Sequence, residues 1–310
     1  MALTIIIDCD PGTDDAVALF LALGSPLLDV RLVTVAGGNA GLGHTLANAS
    51  ALVGLTGKPV PVVAGAERAL LGDFTSEPRV HGDNGIGGVR LPDGPPATPG
   101  IAADAIRAVL RAAAAASITL VGIGPATNLA LALATEPALA DRVAEIVLMT
   151  GAWSEGNITP SAEFNAWSDP EALAVLLACG RPITLAMLEL TAQSLCTPAR
   201  LAGLAAGTGA CRAAAGAIMA SVPPSRRLGG LGHPEHDACA IAWLLAPQLF
   251  TTRQVRVSVD LGPGPGRGRT IVDRWGADRW GRLTSNARLL ETLDADGLFA
   301  LVAAALEQLP

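Results

Sequence analysis

Four aspartates within eight positions, Asp8, Asp10, Asp14 and Asp15, lie in the stretch IIIDCDPGTDDAVALF at residues 5–20. Carboxylates take up protons, and several together hold a cation. At this spacing they repel one another unless a cation or bound protons offset the charge. Oxygen-only donors suit a hard ion, Ca²⁺ or Mg²⁺, and the sequence shows no His/Cys cluster that would select a softer one. A single Asp here would be a helix cap. Pro11–Gly12 makes a tight turn, and Asp14 and Asp15 open a helix, where carboxylates meet free N–H groups and the positive dipole end. Capping does not account for all four.

These residues need elements to position them. Short apolar runs at 3–9, 30–36, 60–64, 118–123, 143–149 and 183–188 read as strands. Helical patterns at 15–23, 43–56, 101–115, 127–134 and 169–178 fall between them. This alternation predicts an α/β fold, a mainly parallel central sheet flanked by helices in a Rossmann-like arrangement. The strands are continuous apolar runs, as strands covered on both faces should be. Helices are expected at 209–221, 237–245 and 294–307, strands at 254–261 and 269–273, and loops at 223–236 and 262–269. No linker divides the chain, so residues 1–310 are expected to form one domain. In open α/β sheets, sites lie outside the carboxyl ends of the strands. The polar groups that follow the strands (Asp8–Asp15, Gly37–Asn39, Gly124–Asn128 and Asn157–Asn165) should therefore converge on one edge.

Composition narrows the function. Half of the 310 residues are hydrophobic and 16% are charged, enough to bury a large core. The net charge is −7 and no basic stretch stands out, which argues against nucleic acid. Lys58 is the only lysine and tyrosine is absent. The five cysteines are scattered without a CxxC pair, a pattern of free thiols in a reducing cytoplasm. No signal-peptide pattern opens the sequence, and the apolar stretches are too short to span a bilayer.

Two families use an aspartate-rich turn of this kind. Haloacid-dehalogenase phosphatases resemble Asp8-Cys9-Asp10, but Thr13 comes one place late and Lys58 lies in a Gly-Lys-Pro turn. The stretch DCDPGTDDAVAL more closely resembles the signature of the nucleoside hydrolases, the inosine/uridine-preferring nucleoside N-ribohydrolases. Further blocks follow in family order: VAGGNAGL with Asn39, VHGDNGIGG with His81, GIGPATNLA at 122–130, MTGAWSEGNITPSAEFNAWSDPEA at 149–172, and HPEHDACAIAWLLAP with His236–Asp237. One departure is Thr150, which stands where the family has Gly and would add bulk on the ribose side.

The resemblance implies a Ca²⁺-dependent hydrolysis of ribonucleosides to free base and ribose. Asp10, Asp15, Asp237 and the Ile123 carbonyl would hold Ca²⁺. Asp14 would be the general base on a water whose pKa the cation lowers, with Asp8 holding the loop or a water. Asn39, Asn157, Glu163 and Asn165 would bind the ribose hydroxyls, with Met149 packed by the sugar. His81 and His236 would face the base, and His236 is the candidate acid for the leaving group because histidine titrates near neutral pH. The family implies a homodimer or homotetramer. A nucleoside- or ribose-binding protein of the same fold without activity is the alternative. Base preference should lie in the segments 73–90 and 223–236 and near 275, where Trp275 and Trp280 sit. Asp169 reads as a helix N-cap before Pro170, Cys9 and Cys239 as buried thiols, and Arg226, Arg227, Arg267 and Arg269 as solvated loop charges.

Overall fold

The computed structural model describes residues 2–275 and 284–310. In chain order its strands are β1 (Leu3–Cys9), β2 (Leu28–Val35), β3 (Val62–Ala64), β4 (Ile118–Gly122), β5 (Val143–Met149), β6 (Ile183–Ala186), β7 (Leu195–Cys196), β8 (His233–Pro234), β9 (Phe250–Val259), β10 (Thr270–Asp273) and β11 (Ala287–Leu293). Among the described residues β7 and β8 pair as a separate ribbon, and the other nine form one sheet in the order β10-β9-β11-β6-β5-β4-β1-β2-β3. The strands from β3 to β11 run parallel, and β9 and β10 close one edge antiparallel.

Strand β1 carries the alternation that fixes the layers. Ile5, Ile7 and Cys9 point into one core, against the helices Thr13–Gly24, Ala238–Leu245 and Ala295–Glu307. Ile6 points into the other, against Ala102–Ala112, Thr127–Thr135 and Pro170–Leu177. Ile5, Ile6 and Ile7 are fully buried, and each contributes roughly 1.5–3 kcal/mol of apolar burial. Because β1 pairs with both β2 and β4, the chain leaves the sheet in opposite directions on its two sides. A crevice opens there, at the carboxyl end of β1, and the Asp10-Pro11-Gly12 turn stands over it.

The parallel core and most flanking helices fall where the sequence places them. The differences are local. Strand β11 was not expected. Its Ala287 and Leu289 face one core and Leu290 the other, and a register shift between Leu290 and Thr292 breaks the period of two. Strand β9 begins at Phe250, four residues before its expected start. Short helices at Pro78–His81, Leu188–Thr191 and Pro198–Ala205 also went unforeseen, and the expected loop 223–236 contains a 3₁₀ turn and strand β8. Asp169 caps its helix as expected, accepting from the Ala172 N–H at 3.0 Å. Its other oxygen accepts from the Leu70 N–H at 2.8 Å and the Thr127 hydroxyl at 2.6 Å, tying two connections to the sheet. Arg227 and Arg267 are not free loop charges: Arg227 pairs with Glu155 at 2.6 Å, and Arg267 grips both oxygens of Glu171 at 2.8 Å. Among the described residues no helix is long and apolar enough to cross a membrane.

Candidate active site

The expected convergence is present. A cleft of about 470 Å³ opens at the carboxyl ends of β1, β4 and β5, within the range of small-molecule sites. Asp14, Asn39, His81, Ile123, Met149, Asn157, Glu163, Asn165, His236 and Asp237 all contribute to its lining. Asp10 and Asp15 lie beneath, fully buried.

The turn after β1 builds the acidic floor. Asp15 reaches back over the turn and accepts from the N–H groups of Gly12 at 2.8 Å and Asp10 at 3.2 Å. Carboxylate oxygens of Asp14, Asp15 and Asp237 lie within 4.8 Å of one another, although Asp237 is more than 200 positions away along the chain. Asp10 stands beside them. One of its oxygens accepts from the Asn39 N–H at 2.7 Å, while the other, Oδ1, is buried without a partner. Burial, then neighbouring negative charge, pushes the Asp10 and Asp237 carboxyls well above their usual range and Asp15 up to about 7. Glycines let the walls close in: a Cβ on Gly124 would fall 2.5 Å from Asp10 Oδ1, and one on Gly38 would collide with Asp10 Oδ2.

A buried group of like charges with an orphaned oxygen is out of balance unless positive charge completes it. The donors are hard oxygens, so Asp10, Asp15 and Asp237 fit a hard divalent cation. The Ile123 carbonyl accepts from Asn165 Nδ2 at 3.1 Å and keeps a second lone pair.

Asp8 is separate from this group. It accepts from the Thr34 hydroxyl at 2.6 Å and Asn128 Nδ2 at 2.9 Å, and burial raises its pKa to about 7. It joins β1, β2 and the helix after β4. Asn39 is tied to the aspartates: its side-chain NH₂ donates to Asp15 Oδ2 at 3.1 Å and to the Asp10 carbonyl at 3.2 Å. It thereby orients two of the aspartates.

The facing wall is a short helix, Phe164–Ser168, capped by Glu163. Glu163 accepts from the N–H groups of Asn165, Ala166 and Gly151 at 2.8–2.9 Å. Asn165 Nδ2 also donates to the Met149 carbonyl at 3.0 Å, and Asn157 Oδ1 accepts from the Phe164 N–H at 2.8 Å. Thr150 is buried, with its hydroxyl turned to Glu163 Oε2 at 3.3 Å. It lends Glu163 a hydrogen bond and does not itself line the cleft. Thr150→Val keeps the volume and removes that bond, worth about 0.5–1.5 kcal/mol. The expected kcat/KM for ribose release is about two- to tenfold lower, with a melting temperature lowered by no more than about 5 °C. An unchanged kcat/KM would assign Thr150 no part in orienting Glu163.

The histidines hold the remaining side. His81 Nδ1 accepts from the Thr13 N–H at 3.3 Å, which leaves Nε2 to carry the proton of the neutral ring. His236 Nδ1 lies 2.6 Å from the Thr191 hydroxyl. Burial lowers the pKa of both rings, and the Asp14 charge opposes this. At neutral pH each rests as a neutral donor.

Sequence reasoning located base preference by segment, 73–90 and 223–236, and left most residues on that side of the cleft unnamed. Glu77, Arg79, Met219, Val222, His233 and Glu235 line it. Met219 and Val222 lie just outside those segments, at the end of a helix, and only tertiary packing brings them here. The described lining residues include no tryptophan. Trp275 is 77% exposed, and Trp280 lies outside the described residues. Arg227 also donates to the Gly156 carbonyl, so the 223–236 segment latches onto the loop that carries Asn157.

An α/β sheet with carboxylates at its switch point, facing a cleft lined with amides and a carboxylate suited to a polyol, defines a hydrolase of the glycosidase class. The comparisons with known proteins agree. Residues 5–300 match the model of the inosine-uridine preferring nucleoside hydrolase family. The pyrimidine-specific ribonucleoside hydrolase RihA of Shewanella woodyi is 38% identical over 99% of both chains. Among solved structures, the purine-preferring ribonucleoside hydrolase from Gardnerella vaginalis superposes with a TM-score of 0.89 at 31% identity, covering 98% of both chains. A plant nucleoside hydrolase superposes with a TM-score of 0.90 at 29% identity over 99% of both. The chain belongs to the inosine-uridine preferring nucleoside hydrolase family and is an enzyme that hydrolyses the N-glycosidic bond of ribonucleosides.

Proposed function

We propose that the enzyme is Ca²⁺-dependent and that Asp14 is its general base. The observation that carries this is the buried group of Asp10, Asp15 and Asp237, with Asp10 Oδ1 unpartnered, beneath a cleft that Asp14 lines. Asp10, Asp15, Asp237 and the Ile123 carbonyl would hold the cation. When bound, it supplies positive charge that acidifies a water and clamps ribose hydroxyls. Asp14 is the half-buried member of the cluster, placed to take the proton of a water attacking the anomeric carbon.

Asn157, Glu163 and Asn165 bind and orient the sugar. Asn39 holds the aspartates in register and lends its remaining carbonyl oxygen to the ribose side. Glu163, fixed by backbone donors, also opposes the positive charge that gathers on the ribose ring as the base leaves. Met149 closes the sugar's apolar face. His236 and His81 face the departing base, and His236 donates a hydrogen bond or a proton to it from a ring that is neutral at rest.

The test is ribose release from inosine, uridine, cytidine, adenosine and guanosine by chelator-treated protein, before and after adding Ca²⁺. Restored release supports the reading, and the order of substrates gives the base preference. Ribosides that bind without ribose release in saturating Ca²⁺ would point to a binding protein instead.

A further inference from the structure

The ribbon of β7 and β8 brings Cys196 up against His233 and Glu235, 37 positions or more further along the chain. Cys196 lies directly across from His233 in the antiparallel register. Glu235 follows two residues later, on the same face of an extended chain. Their ligand atoms lie within 4.8 Å of one another, and all three residues are buried. The sequence shows no His/Cys cluster, because this one exists only across the ribbon.

Two atoms here are unexplained. His233 Nε2 stands 3.0 Å from Glu235 Oε1, yet it makes no aligned hydrogen bond, and Glu235 Oε2 also has no partner. Both residues border the cleft, but these two atoms are closed off from solvent, so a nucleobase in the cleft does not reach them. A ligand atom of Cys196 lies within 4.8 Å of one on each of them, so the three residues share a point between them. A buried polar atom without a partner is costly, and an ion at that point would satisfy both.

We propose that Cys196, His233 and Glu235 bind a borderline-soft divalent cation of the zinc type, at a site distinct from the aspartate floor. A sulfur, an imidazole nitrogen and a carboxylate oxygen make up a zinc donor set and a poor one for calcium. On binding, the Cys196 thiol gives its proton to solvent and ligates as the thiolate. The ion would anchor the ribbon immediately before His236 and Asp237. It would add to the Glu235 N–H to Ser194 carbonyl bond at 3.1 Å and the Ser194 hydroxyl to Glu235 carbonyl bond at 3.0 Å, which join the same two segments.

Cobalt reports on this site directly. Chelator-stripped full-length protein, refilled with excess Ca²⁺, is titrated with Co²⁺ and followed by absorption. A thiolate-to-cobalt charge-transfer band in the near ultraviolet is expected, saturating at about one equivalent and bleached by Zn²⁺. In Cys196→Ser the band is lost while thermal stabilisation by Ca²⁺ persists, which shows a folded protein. His233→Ala shifts the titration at least tenfold to higher Co²⁺. No charge-transfer band at saturating Co²⁺ overturns the proposal, as does an undiminished band in Cys196→Ser, which would assign the metal to another thiol. Cobalt held by the aspartates alone gives no thiolate band, so failure here is distinct from failure of the Ca²⁺ reading.

Discussion

Asp14→Asn is expected to lower kcat for ribose release by about 10²–10⁴-fold, the usual contribution of a positioned general base, while leaving Ca²⁺ binding in place. The two results separate because Asp14 and its neighbours differ in setting. Asp10 and Asp15 are fully buried and tied into the turn by N–H donors. Asp14 is half-buried and lines the cleft. Asparagine has nearly the same shape and keeps an oxygen toward the cluster, but it takes no proton. The substitution also removes one charge from a crowded group. Without metal, the variant should melt no lower than the parent, and relief of repulsion should raise its melting temperature. Asp10→Asn is the contrasting case, because it weakens the cation site itself. Activity and Ca²⁺-induced stabilisation should then fall together. Ribose release by Asp14→Asn within tenfold of the parent would remove Asp14 from the general-base role.

The sequence carried some of this site well and some not at all, for physical reasons. Apolar runs covered on both faces have one periodicity and a length limit, so β1, β4 and β5 were legible, and the loops after them could be placed at one edge. The aspartates were legible because like charges at the end of a buried strand demand compensation. Strand β11 was not, because its register shift breaks the alternation that would mark it. The base-side wall was legible only as the segments 73–90 and 223–236, because its individual residues, with Met219 and Val222 beyond them, come from a helix end and a ribbon joined only in three dimensions. Thr150 looked like added bulk, since the direction of a hydroxyl depends on a neighbour thirteen residues away, Glu163. For Arg227 and Arg267, composition marked a charged loop, and only folding supplied Glu155 and Glu171.

Removing the cation should cost stability that grows with pH. In the metal-free fold burial raises the Asp15 carboxyl to about 7, against a usual value of 3.8, and Asp10 and Asp237 are likewise raised well above 3.8. Between roughly pH 4 and 7 the folded state therefore holds more protons than the unfolded chain, and stability falls as pH rises through that window. Below about pH 4 the carboxyls are protonated in both states and the penalty vanishes. For Asp15 alone the full cost is on the order of 4 kcal/mol at most. A bound cation supplies the opposing charge, so the loaded protein should lose much less. Asp8 also sits near 7, but it lies outside the cation's donor set, so both forms share its contribution and the difference between them isolates the cluster. Melting temperatures with Ca²⁺ and with chelator should thus lie close together near pH 4 and diverge by about 5–10 °C at pH 8. Parallel pH slopes in the two conditions would mean that the aspartates are relieved by protons at every pH tested, and that no cation belongs among them.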